Sequence, residues 1–179
     1  MIAQFGAAPR SFGALTFQEE IVAEIGDKIP EVTLRRMTAS GPESVSSTEV
    51  LGSGKVVLFA VPGAFTPTCS DYHLPGFVIR SEEFKAKGVA TVACVAVNDA
   101  FVMGAWGTAQ NVGDVLMLAD GSGEFAKAMG LEFDLSAGGL GIRSKRYAAI
   151  LEDGVITYLG VEAAPGLSVS SAESVLAEL

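Results

Sequence analysis

Thr66, Cys69 and His73 fall within the stretch VPGAFTPTCSDYH, and their side chains bring together a hydroxyl, a thiol and an imidazole. A thiol attacks as its thiolate, a hydroxyl both donates and accepts, and an imidazole can act as a base or as a metal ligand. Cys69 and His73 are four residues apart, which places them on one face of a helix. Two such ligands do not make a zinc site, and no metal site is assigned. His73 is the only histidine of the chain, so a cysteine hydrolase or acyl transferase would lack a convincing base, and His73 reads as a structural or site-wall residue.

The elements around Cys69 explain how it would be activated. The run KVVLFAV, Lys55 to Val61, is apolar throughout and predicts a strand buried on both faces. Pro62-Gly63 ends it. Thr66 then serves as an N-cap, Pro67 suits the first helical position, and Cys69 falls in the first turn. First-turn amides and the helix dipole favour an anion there, so the position suits a thiolate. The second cysteine, Cys94, lies inside VATVACVAV and reads as a small core residue of another buried strand.

The rest of the chain alternates strands and helices. A charged amphipathic helix spans 81–87, the strand around Cys94 spans 89–97, and Asn98-Asp99 caps a helix running through Trp106. A short strand at 115–119, a turn at Asp120-Gly121 and a helix at 124–129 follow, then the glycine loop 138–141. Strands at 146–152 and 155–159 join at Asp153-Gly154 as a hairpin, so the sheet must be mixed. A capping box at Ser170 to Glu173 opens a last helix that turns Val175, Leu176 and Leu179 inward.

Composition removes several function classes. With 12 basic and 21 acidic residues the formal charge is −9, which repels nucleic-acid phosphates and anionic membrane surfaces. No apolar run approaches the roughly 18 residues of a membrane span, so no membrane association is expected. The GGLG loop lacks the strand-turn-helix setting of a nucleotide site. Two cysteines in 179 residues, without a CxxC pair, point to a reducing compartment rather than a disulfide scaffold. Residues 25–179 read as one domain behind an N-terminal extension, 1–24, whose single Arg and lack of acids up to residue 18 faintly echo a transit peptide. The expected location is cytoplasmic, with a plastid or mitochondrion as the alternative.

VPGAFTPTCS contains P-x-x-x-T-x-x-C, and together with HLPGF and VNDAFVM-x-x-W it resembles the type II peroxiredoxins. The resemblance runs from about Gly26-Asp27 to the last helix. It implies an α/β, thioredoxin-like three-layer α/β/α sandwich with a central mixed β-sheet. It also implies a cofactor-free thiol peroxidase that reduces hydrogen peroxide and organic hydroperoxides to water and alcohols. By similarity Cys69 is the peroxidatic nucleophile, Thr66 orients the peroxide, Pro62 shields the thiolate, and Arg146, from GIRSKRYAAI, holds the thiolate and the leaving oxygen. Arg143 enters only as loop support.

The same resemblance implies an external reductant, glutathione with glutaredoxin or thioredoxin. Animal-type members carry a resolving cysteine near the C-terminus, whereas Gly166 to Ser171 here reads GLSVSS. It further implies a homodimer, with aromatics such as Phe77 as exposed contacts. The alternative function is a thioredoxin-fold redox sensor or relay that passes oxidation from Cys69 to a partner protein.

Overall fold

The computed structural model describes residues 22–163 and 165–179. The transit-peptide reading and most of the proposed extension lie outside the described residues.

Seven strands form one sheet in the order β2-β1-β5-β4-β3-β8-β9. At its centre are β3 (Lys55–Val61), β4 (Thr91–Ala96) and β5 (Leu116–Ala119), mutually parallel. β8 (Tyr147–Glu152) and β9 (Val155–Val161) run antiparallel on one side. The hairpin of β1 (Thr33–Thr38) and β2 (Gly41–Ser46) closes the other side, so the sheet is mixed as the sequence requires. That first hairpin was not expected. TLRRMT and GPESVS have no apolar alternation to announce it, and only Leu34 and Val45 among them are buried core residues.

Period-two alternation divides the core into two layers. Val57, Phe59 and Val61 of β3 face one cluster, and Val56, Leu58 and Ala60 face the other, which is why the strand has no polar face. The first cluster is covered by α2 (Leu74–Ile79), α3 (Ser81–Ala86), α4 (Ala100–Gln110) and α6 (Ala172–Glu178). α1 (Ser47–Leu51) and α5 (Glu124–Ala128) cover the second, which completes a three-layer α/β/α sandwich. A small hairpin, β6 (Glu132–Asp134) with β7 (Ile142–Ser144), stands outside the main sheet, and the GGLG loop lies in its connection.

Several local readings are corrected. Asp99 caps α4 by accepting from the Val102 N–H, but the helix runs to Gln110, four residues past Trp106, and stops where Asn111 turns left-handed. The last helix is capped by Ser171, not Ser170, because the Ser170 hydroxyl is bonded to Glu162. Phe77 is not an exposed contact. It is fully buried, stacked on Phe59 with centroids 4.0 Å apart and on Phe84 at 5.5 Å, so it anchors α2 to the sheet. The Asp153-Gly154 turn has φ of 49° and 78°, the left-handed pair of a tight two-residue hairpin.

Candidate active site

β3 ends at the same edge of the sheet at which β8 begins. Their antiparallel register pairs Ala60 with Tyr147, which sets Arg146, one residue earlier, beside the turn that follows Val61. Alternation sends Tyr147 to one layer and so turns Arg146 to the layer that holds Cys69. Residues 77 positions apart in sequence thereby come into contact.

The loop from Pro62 to Thr66 is held from several sides. Asn98, at the end of the neighbouring strand, accepts from the Ala64 N–H at 2.9 Å. Thr66 donates its hydroxyl to the Gly63 carbonyl at 2.8 Å. Arg143 donates to the carbonyls of Leu140 and Pro62, at 2.8 and 3.4 Å. A Cβ on Gly63 would lie 3.0 Å from Arg143 Nη1 and 3.3 Å from Thr66 Cγ2, so glycine is what lets these groups close on the loop. Phe65 sits at φ 62° with its ring more than half exposed, a conformation that costs a non-glycine residue about 1–3 kcal/mol. Thr66 is therefore not a side-chain N-cap. Its proton is committed to Gly63, and its lone pairs remain free to accept.

Pro67 does take the first helical position, and Cys69 lies in the first turn. Cys69–His73 is wound as a π-helix, with the Leu74 N–H donating to the Cys69 carbonyl, before the chain tightens into α2. Such widened turns recur at functional sites, and here the Cys69 and His73 side chains are both fully buried. Trp106 ties α4 to this turn by donating to Ser70 Oγ at 3.0 Å. Among the described residues the N–H groups of Thr68 and Cys69 have no protein acceptor, as expected of a helix start.

Arg146 joins the thiol and the imidazole. Its Nη2 donates to Cys69 Sγ at 3.3 Å, and its Nη1 donates to His73 Nδ1 at 2.9 Å. The other imidazole nitrogen, Nε2, is 2.8 Å from the Ser170 carbonyl. A carbonyl only accepts, so Nε2 carries the proton and Nδ1 offers its lone pair to the guanidinium. His73 is thus neutral with both nitrogens occupied, which leaves it no role as a free base or metal ligand. Burial is the largest cause of its low pKa, about 4; Arg146 lowers it further against the opposing pulls of Ser170 and Glu162.

Glu162, which the sequence did not single out, completes the surroundings. Its carboxylate accepts from the N–H and hydroxyl of both Ser168 and Ser170, at 2.7–2.9 Å. Burial works against its charge, but these donors outweigh it and hold the group at about 2. A groove of about 540 Å³ is lined by Pro62, Thr68, Phe133, Lys145, Arg146 and Glu162, and Arg146 connects it to the buried thiol. Cys94 faces the same core layer as Cys69 but is paired within the sheet between Phe59 and Met117. Burial, then the nearby Cys69, pushes its thiol pKa well up, so it is a poor nucleophile, as the sequence reading required.

A thioredoxin-like sandwich with an arginine-held cysteine at a strand-to-helix turn defines a class of thiol redox proteins, and comparison with known proteins narrows it. Residues 24–176 match the Redoxin family model. Peroxiredoxin-2E-2, chloroplastic, of Oryza sativa subsp. japonica is 49% identical over 161 residues, 87% of this chain and 72% of that protein. Peroxiredoxin-2E, chloroplastic, of Arabidopsis thaliana is 43% identical over 178 residues, 97% of this chain and 75% of that protein. The crystal structure of reduced Prx3 in complex with H2O2 from Vibrio vulnificus has a TM-score of 0.85 and 52% identity, covering 88% of this chain and 99% of that one. The chain belongs to the Redoxin family, among the peroxiredoxins, which are thiol peroxidases on a thioredoxin-like fold.

Proposed function

We propose that Cys69 is the peroxidatic residue and that Arg146, Thr66 and Pro62 complete its site. The Cys69 thiolate attacks the terminal oxygen of a hydroperoxide, an S–O bond forms as the O–O bond breaks, and the departing oxygen takes a proton to leave as water or an alcohol. Sulfur loses two electrons and becomes a sulfenic acid. Arg146 stabilises first the thiolate and then the charge developing on the leaving oxygen. Thr66, its proton committed to Gly63, accepts from the peroxide hydroxyl, while Pro62 and the free amides of Thr68 and Cys69 border the reacting atoms. The observation that carries this reading is the 3.3 Å contact between Arg146 Nη2 and Cys69 Sγ.

An external thiol condenses with the sulfenic acid, releases water and leaves a mixed disulfide that a second thiol reduces. Glutathione with glutaredoxin, or thioredoxin, fills that role. The cysteine-free segment GLSVSS and the strand position of Cys94 support external resolution. Hydrogen peroxide as a substrate is supported by the Vibrio vulnificus relative, named for its complex with H2O2. Phe65 and Phe101, exposed at 56% and 66% near the Ala64–Asn98 bond, replace Phe77 as candidate contacts of a homodimer. Light scattering that finds only monomer at micromolar concentration would remove the dimer. The names of the two plant relatives support a plastid over the cytoplasm.

Peroxide consumption by the pure protein, with glutathione–glutaredoxin and thioredoxin compared side by side, tests the reading. Turnover with at least one reductant, abolished by Cys69→Ser, is the expected result. A peroxide rate constant no higher than that of a free thiol would leave the redox relay in its place.

A further inference from the structure

We propose that Glu162 is a positioning residue of the peroxidatic site, acting through Ser170 and His73 on Arg146. The proposal rests on the reading of Cys69 and Arg146 as the reacting pair, and adds to it a clamp on the segment between β9 and α6.

Glu162 leaves the end of β9 with its N–H bonded to the Arg146 carbonyl at 3.0 Å. Its carboxylate then gathers Ser168 and Ser170, six and eight residues further on. Ser170 is held twice, by its N–H at 2.9 Å and its hydroxyl at 2.8 Å, both on Oε1. Holding the N–H and the hydroxyl together fixes the Ser170 Cα and its side chain, from which the Ser170 carbonyl, in the following peptide group, reaches His73 Nε2.

The consequence lies in the imidazole. A neutral ring has one N–H, and which nitrogen carries it is set by the partner of the other. With the Ser170 carbonyl in place the proton stays on Nε2, and Nδ1 accepts from Arg146. In the other tautomer an N–H would point at a guanidinium N–H, donor against donor, and Arg146 would lose the support that aims its second nitrogen at sulfur. Glu162 thereby sets the hydrogen-bond polarity of a site that its own carboxylate does not touch.

Because His73 is the only histidine, ¹⁵N-labelled protein reports this tautomer without ambiguity. The wild type should show Nε2 protonated and Nδ1 bare. Glu162→Ala should show averaged or reversed ring nitrogens, and its stopped-flow rate constant with hydrogen peroxide should fall about tenfold, the scale of one misdirected transition-state donor. Glu162→Gln, which keeps an acceptor for Ser170, should recover most of both. The double variant Glu162→Ala/His73→Phe should be no slower than His73→Phe alone, since two residues acting in series are not additive. Glu173→Ala, which breaks the exposed ion pair with Arg80 on the same terminal segment, should leave tautomer and rate unchanged.

A Glu162→Ala protein that melts earlier yet keeps the wild-type tautomer and a rate within twofold would reduce Glu162 to a loop staple and overturn the proposal. Additive losses in the double variant would overturn it as well. A tautomer change with an unaltered peroxide rate overturns it if Arg146→Lys is slow, whereas if Arg146→Lys is also unaffected, the underlying assignment of Arg146 has failed instead.

Discussion

Nη1 of Arg146 lies 2.9 Å from Nδ1 of His73, and this contact leaves Nη2, the other arm of the guanidinium, directed at the Cys69 sulfur. One planar group with fixed donors bridges two buried partners. A lysine carries the same charge but only a single rotatable ammonium, which cannot serve both in that geometry. Arg146→Lys should therefore slow the peroxide step by about a hundredfold, within the range for losing an oriented donor to the developing oxyanion. Stopped-flow tryptophan fluorescence, with Trp106 as the only indole, measures it, and a loss below threefold would show that charge alone suffices.

Thr66→Val keeps the shape of the side chain and deletes its oxygen. The bond to the Gly63 carbonyl is lost, and with it the acceptor that the proposed mechanism offers to the peroxide. A fall in the peroxide rate constant of about tenfold is expected. An unchanged rate would confine Thr66 to holding the loop.

Cys94→Ser should leave most of the peroxidase activity, because that thiol is buried in β4 and its pKa is raised. For the same reason one equivalent of peroxide should yield a Cys69 sulfenic acid that dimedone or glutathione captures. Bridged α-carbons must come within about 7 Å with their side chains turned toward each other, which a sheet-paired Cys94 could meet only through local unwinding of the Cys69 turn. Peptide mass spectrometry showing a Cys69–Cys94 disulfide would replace external resolution with an internal one.

The buried neutral His73 ties stability to pH. Its pKa is lowered from 6.5 to about 4, so as pH falls the unfolded chain takes up the proton first. The contribution is complete above 6.5 and is lost as the pH drops from there toward 4, because the unfolded state binds more protons in that window. At pH 5 the loss should be about 2 kcal/mol, approaching roughly 3 kcal/mol at the lower end. Urea unfolding at pH 7.5 and at pH 5 reads it directly. If His73→Gln loses as much stability over the same interval as the wild type, another group is responsible.

The position of Cys69 and its platform were legible in the chain itself because their signals are local. An apolar run, a Pro-Gly break, a helix start and a cysteine within its first turn are neighbours in sequence, and the period of two in KVVLFAV already implied a strand buried on both faces. Local signals also named the pair Asn98-Asp99 as a cap, of which Asp99 takes the role, and Asp153-Gly154 as a turn. Where sequence reasoning went astray, a distant partner had competed for a local role. The Thr66 hydroxyl turned to Gly63 instead of capping, Ser170 was taken by Glu162 and left the cap to Ser171, and Phe77 was drawn under the helix by Phe59 and Phe84. Arg146 could be picked out only by family resemblance, since nothing near it in sequence distinguishes it from Arg143. The antiparallel register of β3 with β8 made the choice, placing one arginine against the sulfur and leaving the other on the loop carbonyls. The tautomer of His73 lay furthest from view, because a proton's position on an imidazole depends on which carbonyl and which guanidinium the finished fold brings to its two nitrogens.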